Sequence, residues 1–437
     1  MTTHSVRETY HMRTSSNVAG GPTRLLRSGT AGLVITIAGL ALGACSNLLD
    51  VKYPGRIPIE QINNPALASV LADGVVGDLE CAYNNYFSGS SVHSDEYESA
   101  SDNGTLANAG ERNVTDTNDD YAIGGCEAGG FSDFGLQVPM HTARYQSEDV
   151  FKRLAGWTDA QVPGRVGLQA KVRAYGAYAY TFLGETYCAV AIDGGSPQPP
   201  AASLTIAAAR FAEAVTLAGQ AGSGSADLVK LANVGLARVN LDLKNWAQAA
   251  TFAAKVPAGF EFFADRGTEN DRRWNKLQYL ATDLGAFVVG NAYRTMNDPR
   301  VLVADKNKPA FNPYINLWVT TKYSSLSSPI RLAGYREARL ILAEATAMLG
   351  DVPGAMTIIN GRRAEVGLPP LAAANQAAAV DLIIEERRRE LSFEGGHRLN
   401  DLIRKNIPWK VGRNPFTNRP YGATTCWPIP VKETNGH

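Results

Sequence analysis

Two stretches of the chain repeat one plan of small and large apolar residues, and that plan limits the fold more than any other feature. In residues 226–257, Leu228, Leu231, Ala232, Gly235, Leu236 and Val239 fall on one helical face. The run Asp242 to Asn245 interrupts it, and Trp246, Ala249, Ala250 and Ala253 begin a second face that ends before Pro257. Residues 335–365 repeat the arrangement. Ala338, Ile341, Leu342, Ala345 and Leu349 line one helix, Gly350-Asp351 closes it, and Pro353 opens the next. Gly235 and Ala247 stand twelve residues apart, as do Ala343 and Ala355, which puts small side chains where the helices of a tetratricopeptide-type hairpin cross closely. Helical patterns near 141–155, 169–187 and 205–218 extend the series, the last two separated by the Gly/Pro-rich stretch 193–200. The expectation is a mostly α fold with helical hairpins near 141–187, 205–257 and 335–365, in which Trp246 and Phe252 belong to the core.

The first 44 residues stand apart from this pattern. Arg24 and Arg27 precede an apolar run from Ala31 to Leu42, and Leu42-Gly43-Ala44 leads into Cys45, which reads as a secretion signal. The run is shorter than a membrane-spanning helix requires, and no later segment reads as a span. Without residues 1–44 the basic residues fall from 42 to 38 and the acidic from 42 to 41. A balance so close to neutral gives no electrostatic reason to expect nucleic acid as a partner. The domain 45–437 is long enough to bury a sizeable core. It retains Cys81, Cys126, Cys188 and Cys426, an even number that in an exported chain points to two disulfides. Of the three connectivities, Cys81–Cys126 and Cys188–Cys426 is favoured: the first closes the loop region after the opening helix, and the second pins the C-terminal tail. The sequence holds no CxxC pair and no HExxH motif, so neither a zinc site nor a zinc protease is indicated.

Between the helical pieces lie segments of another character. Residues 83–135 are rich in Asn, Asp, Ser, Gly and Tyr, and residues 258–330 mix Trp and Tyr with polar turns. Long irregular segments of this kind tend to carry function. Their aromatic faces suit sugar C–H groups, and their amides and carboxylates suit hydroxyls. The candidate ligand contacts are Tyr86, His93, Asp95, Tyr97 and Asn103 in the first segment, with Trp274, Tyr314, Trp318 and Tyr323 in the second. In "DTNDDYAIGGCE", Asp116, Asn118, Asp120 and Glu127 occupy positions 1, 3, 5 and 12 of a calcium loop. Tyr121 stands where such a loop needs glycine, so the expectation is a solvated polar turn, with calcium binding as the alternative.

The stretch "EERRRELSFEGGHR", residues 385–398, invites a catalytic reading, since a glycosidase needs two carboxylates. Its spacing argues otherwise. Val380, Ile383, Ile384 and Leu391 recur at helical intervals, and Arg387 or Arg388 falls on the same stripe. Glu385 is placed to reach Arg388 and Arg389, and Arg387 to reach Glu390. Carboxylates on one helix project side by side instead of facing each other across a substrate. His397, beside Gly395-Gly396, is read as a cation at a helix end, and no nucleophile elbow accompanies it.

Taken in order, several segments resemble the SusD/RagB family of outer-membrane nutrient-binding lipoproteins. They are "LGAC" followed by "CSNLLDV", "LECAYNNY", "AKVRAYGAYAYTFLGETY", "NDPR", "ARLILAEATAML", "IINGRRAEVGL", "IIEERRRELSFEGGHRLNDLIR" and "WPIP". The resemblance implies lipidation of Cys45, an outer-membrane location, and a SusC-type TonB-dependent transporter as partner. It implies a SusD-like fold that binds glycan without cleaving it. A lid or helical-repeat scaffold for a transporter of peptides or other non-sugar nutrients is the alternative. The family's chains usually run further past the "PIP" motif than "VKETNGH" does, which implies a reduced edge of the ligand or partner surface. The family's sugar-stacking aromatics lie in variable loops, so the resemblance transfers no individual contact residue.

Overall fold

The computed structural model describes residues 61–117, 121–122, 124–126 and 135–431. The chain divides between Gln61 and Ile62, and the unit beginning at Ile62 holds the helices, the strands and the candidate site. Cys45 and the signal-like segment lie outside the described residues, as do Asn118, Asp120 and Glu127 of the expected calcium loop.

Among the described residues the frame consists of α1 (Ala68–His93), α2 (Gly104–Gly110), α3 (Gln137–Gly156), α4 (Arg165–Thr186), α5 (Pro200–Ala221), α6 (Ala226–Asp242), α7 (Trp246–Ala253), α8 (Tyr335–Met348), α9 (Val352–Glu365), α10 (Gln376–Glu390) and α11 (His397–Arg404). From α3 to α7 each helix packs on the next, and α8 packs on α7, α9 and α10. The hairpin expectation is met, with a difference in the first unit. Gly235 serves the preceding helix: a Cβ there would lie 2.2 Å from the Phe211 ring of α5. Ala247 is exposed, and Ala249 and Ala253 face inward instead, leaving Trp246 and Phe252 half-buried. In the second unit Ala343 and Ala355 are both buried, in a core with Leu340, Ile359 and Ile383. Helix α5 is by length and composition apolar enough to cross a membrane, contrary to the sequence reading. Its alanines account for this, and its Leu204, Ala207, Phe211 and Ala214 face is buried against its neighbours.

Residues 254–334 depart from the stack and return to it. Strands β2 (Glu261–Ala264) and β6 (Ile330–Gly334) pair antiparallel with Glu261 opposite Gly334, so the chain leaves and re-enters side by side and α8 can pack on α7. Within the excursion, β3 (Phe287–Val289) pairs with β1 (Tyr97–Ser99), and β4 (Val303–Pro309) with β5 (Asn316–Thr320). The stretch 83–93, expected as loop, is the second half of α1 and is buried throughout. Several of its polar groups find backbone partners: Ser88 Oγ donates to the Asn84 carbonyl, Asn84 Nδ2 to that of Trp274 and Asn85 Nδ2 to that of Gly135. Tertiary burial of satisfied amides here overrides a loop-like composition.

Both disulfides are formed in the expected pairing, with Cα separations of 5.2 Å for Cys81–Cys126 and 5.1 Å for Cys188–Cys426. The second lies where Trp427 N donates to the Thr186 carbonyl and Cys188 N to that of Trp427.

The segment 385–398 is a junction of ion pairs. Glu385 holds Arg389 at 2.8 Å, as the helical spacing predicts. The expected Arg387–Glu390 pair is replaced by longer reaches, because both side chains are buried and point toward different neighbours. Arg387 meets Glu344 of α8 at 2.8 Å and Asp401 of α11 at 3.0 Å, and Glu390 accepts from Arg362 of α9 at 2.9 Å. Glu344 also receives Arg404 at 2.7 Å and Lys405 at 2.6 Å. Burial works to raise the Glu344 carboxyl, but Arg404 and Arg387 outweigh it and hold it well below the usual range. Removing one partner from such a cluster strands the others without solvent. Glu344→Ala is expected to cost about 3–5 kcal/mol in urea unfolding. Asp227→Ala, which breaks the exposed Lys230 pair, is expected to cost at most about 1 kcal/mol.

Candidate functional site

The β1–β3 pair, the β4–β5 hairpin and the C-terminal segment 408–421 converge on one polar and aromatic face. A core of Ala100, Val288, Leu317 and Val319 joins these pieces, with Trp318 and Phe416 packed on it. Alternation along β5 buries Leu317 and Val319 and leaves Trp318 half-exposed between them. Beside this core lies a cleft of about 330 Å³, bordered by Asp95, Glu98, Asn291, Trp409 and Lys410.

Its charges are fixed from behind. Asp95 is gripped by Arg398, whose Nε and Nη2 approach the two carboxylate oxygens at 2.7 and 2.6 Å. Burial works to raise the Asp95 carboxyl, but the hydrogen bonds and charge of Arg398 hold it below the usual range. Glu98 accepts from Lys410 at 3.0 Å and from the Tyr421 hydroxyl at 2.7 Å. Trp409 is half-buried, with the Arg112 guanidinium 5.2 Å from its ring and His93 edge-on at 5.8 Å. Arg294 stands between Trp318 and Phe416, at 5.8 and 5.3 Å from the two rings. Its Nε donates to the Val289 carbonyl, and its Nη2 has no hydrogen-bond partner among the described residues.

Of the residues expected from sequence, Asp95 borders the cleft, Trp318 belongs to the adjoining aromatic cluster, and Tyr314 lies at the β4–β5 turn, 94% exposed. Four others are corrected, because burial removes them from ligand contact. Tyr86 is fully buried and donates to Glu185 at 2.7 Å. His93 is fully buried, its Nδ1 3.1 Å from the Ala109 carbonyl, and burial pulls it down to about 3, so it is neutral. Tyr97 is fully buried against Phe393, and Tyr323 donates to the Phe393 carbonyl at 2.8 Å. Asn103 caps α2 by accepting from Leu106 N at 3.4 Å. Trp274 is half-buried beside Tyr279, away from the cleft lining. Asp116 is exposed, and its carbonyl accepts from Val431 N at 3.0 Å. Among the described residues no group of three or more His, Cys, Asp or Glu is placed to hold a metal ion.

Sequence reasoning missed Glu98, Asn291, Arg294, Trp409, Lys410 and Phe416. The run "WKVGRNPFTNRPYG", 409–422, has the irregular, aromatic composition that marked the other loops, and that signal points to it. His397 also differs from expectation. It opens α11, where the helix dipole disfavours a cation, and burial holds it well below its ordinary range, with Arg238 and Arg387 acting the same way.

Behind the cleft, burial pushes the Glu96 carboxyl up to about 8, although its Oε1 accepts from Phe393 N at 2.5 Å; the neighbouring Asp95 charge adds to the rise. The folded state therefore binds a proton that the unfolded chain releases near 4.5, so this group's contribution to stability falls as pH rises from about 4.5 to 8. Glu96→Gln, which keeps the neutral form, is expected to flatten the decline in Tm between pH 5.5 and 8 measured by calorimetry. An unchanged slope contradicts the assignment.

Residues 264–433 match the sequence model of the SusD family. No curated protein matches the chain significantly. Solved structures do. A SusD-like carbohydrate-binding protein from Bacteroides vulgatus is 17% identical, with TM-score 0.60 over 78% of this chain and 83% of that one. A SusD homologue from Bacteroides thetaiotaomicron is 14% identical, with TM-score 0.65 over 87% and 97%. A laminarin-binding SusD-like protein is 15% identical, with TM-score 0.61 over 84% and 97%.

Proposed function

We propose, for a chain whose residues 264–433 match the SusD family model and whose described part has the fold of SusD-like proteins, that it captures glycan without cleaving it. The observation that carries this reading is the cleft at Trp409. The half-exposed Trp409 indole there shares the lining with Asp95, Glu98, Lys410 and Asn291. Aromatic planes take sugar C–H faces, while fixed acceptors and donors take hydroxyls. At about 330 Å³ the cleft is at the small end of ligand sites, so it accepts part of an oligosaccharide. The laminarin-binding relative supports a glycan as cargo.

The bracing of the two cleft carboxylates supports binding without hydrolysis. A glycosidase needs one carboxyl kept protonated at the scissile bond. Asp95 is held ionised by Arg398, and Glu98 is committed to Lys410 and Tyr421. Glu96, raised to about 8, is fully buried and hydrogen-bonded to Phe393, so it does not line the cleft. In the same reading the signal-like segment delivers the protein to the outer membrane, Cys45 carries the lipid, and a TonB-dependent transporter receives the cargo. Calcium at Asp116 and its neighbours is a subsidiary proposal, tested by the effect of EDTA on Tm.

The test is a calorimetric screen of neutral oligosaccharides. Trp409→Ala is expected to weaken the best ligand about tenfold or more, since loss of a stacking contact and its buried area is worth at least ~1.4 kcal/mol. Reducing ends should not accumulate. Retained affinity in the variant, or released product, contradicts the proposal.

A further inference from the structure

Two adjoining cavities lie apart from the Trp409 cleft and share none of its lining. One, of about 320 Å³, is walled by α8, α9 and the Ala258–Gly259 turn before β2. The other, of about 350 Å³, reaches Leu302 and Thr321 at the base of the β4–β5 hairpin. Arg336, Arg362 and Glu390 belong to both linings, so the two form one groove.

The groove has a surplus of positive charge at its outer wall. Six basic and four acidic side chains line it, and each acid is committed to a cation. Glu390, 1% exposed, accepts from Arg362 at 2.9 Å. Glu365 holds the same Arg362 at 2.8 Å, Glu261 pairs with Arg331, and Glu394 receives Lys322 at 2.7 Å and Arg331 at 2.6 Å. Arg300 is taken up by Asp298 at 2.8 Å and Glu386 at 2.7 Å. With Arg300 paired outside the lining, five cations face four acids, and the surplus falls on Arg339 beside the exposed Arg336. Arg336 has a side chain 43% exposed, approaches Glu390 at 3.4 Å and lies near enough to Glu261 to lower its carboxyl. Arg339 takes part in no ion pair among the described residues, and its guanidinium lies 5.9 Å from the Tyr335 ring.

Arg336 and Arg339, one helical turn apart and donating no side-chain hydrogen bond among the described residues, are suited to a planar carboxylate, which accepts paired N–H donors. The remaining lining offers donors and acceptors through Thr321, Thr357 and the paired carboxylates, together with apolar Leu340 and Ile358. Hydroxyls, which both donate and accept, satisfy such a wall better than extended peptide side chains do. We propose that this groove is a second ligand site, taking a carboxylate-bearing sugar with Arg336 and Arg339 as the acid-recognising pair. The sugar part of this assignment rests on the glycan reading; the acid recognition does not.

The test compares tetragalacturonate with its methyl ester, which keeps the rings and removes the charge, by titration calorimetry on the purified protein at low and high salt. The acid is expected to bind at least tenfold more tightly than the ester at low salt and to lose that advantage as salt rises. The double variant Arg336→Gln/Arg339→Gln should weaken the acid about tenfold or more while leaving neutral-glycan binding unchanged. Arg339→Gln alone, which leaves the Glu390 cluster intact, should weaken it in the same direction. Acid binding that depends on these arginines supports the groove even if no neutral glycan binds at Trp409, which separates the two proposals. Equal affinity for the ester, unchanged affinity in both variants, or binding of tetraglutamate in place of tetragalacturonate overturns the inference.

Discussion

The buried carboxylate of Glu344, bonded to Arg387, Arg404 and Lys405, is the point on which the described structure turns. It joins α8 to α10 and α11, and the residues beyond α10 carry the same logic outward. Glu394 holds Lys322 and Arg331, the Gly395 carbonyl accepts from Arg238, and Arg398 grips Asp95. Arg238 in turn meets Glu185 through two contacts of 2.6 and 2.7 Å. Charges this deeply buried contribute little net stability compared with apolar packing. Their geometry is directional, however, and here each pair fixes one element at one orientation.

That framework explains why the candidate cleft is built from three distant parts of the chain. Asp95 follows α1, Asn291 follows β3, and Trp409 follows α11, yet Arg398 and the β1–β3 pairing hold them together. Gly396 shows how tightly this is drawn. Its φ of 73° lies in the left-handed region, and a Cβ there would stand 2.3 Å from the Tyr86 hydroxyl, which itself donates to Glu185. A site whose Asp95 carboxylate is held by Arg398 and whose Glu98 is braced by Lys410 and Tyr421 is preorganised to hold hydroxyls.

The helical scaffold was legible because its apolar periodicity is local: the break between α6 and α7 follows from Asp242 to Asn245, and that between α8 and α9 from Gly350 and Pro353. The ion-paired role of 385–398 was legible for Glu385 and Arg389, which meet one turn apart. Partners drawn from other helices, such as Glu344 for Arg387, leave no trace in local spacing. The loop reading of 83–93 failed for the same reason, since Asn84 and Asn85 find their acceptors at Trp274 and Gly135. Tyr86, His93, Tyr97 and Tyr323 show that an aromatic in polar company is as readily a buried strut as a ligand platform. Trp409 and Phe416 escaped notice because the tail resembled framework, whereas the fold returns it to the β1–β3 edge.

The most direct measurement is a crystal structure of the protein with its tightest-binding neutral oligosaccharide. The account predicts an intact sugar lying against the Trp409 ring, with hydroxyls in hydrogen-bond reach of Asp95, Glu98 or Lys410. A sugar bound elsewhere with this cleft empty, or a cleaved product within it, would contradict the central claim that the braced cleft is a capture site.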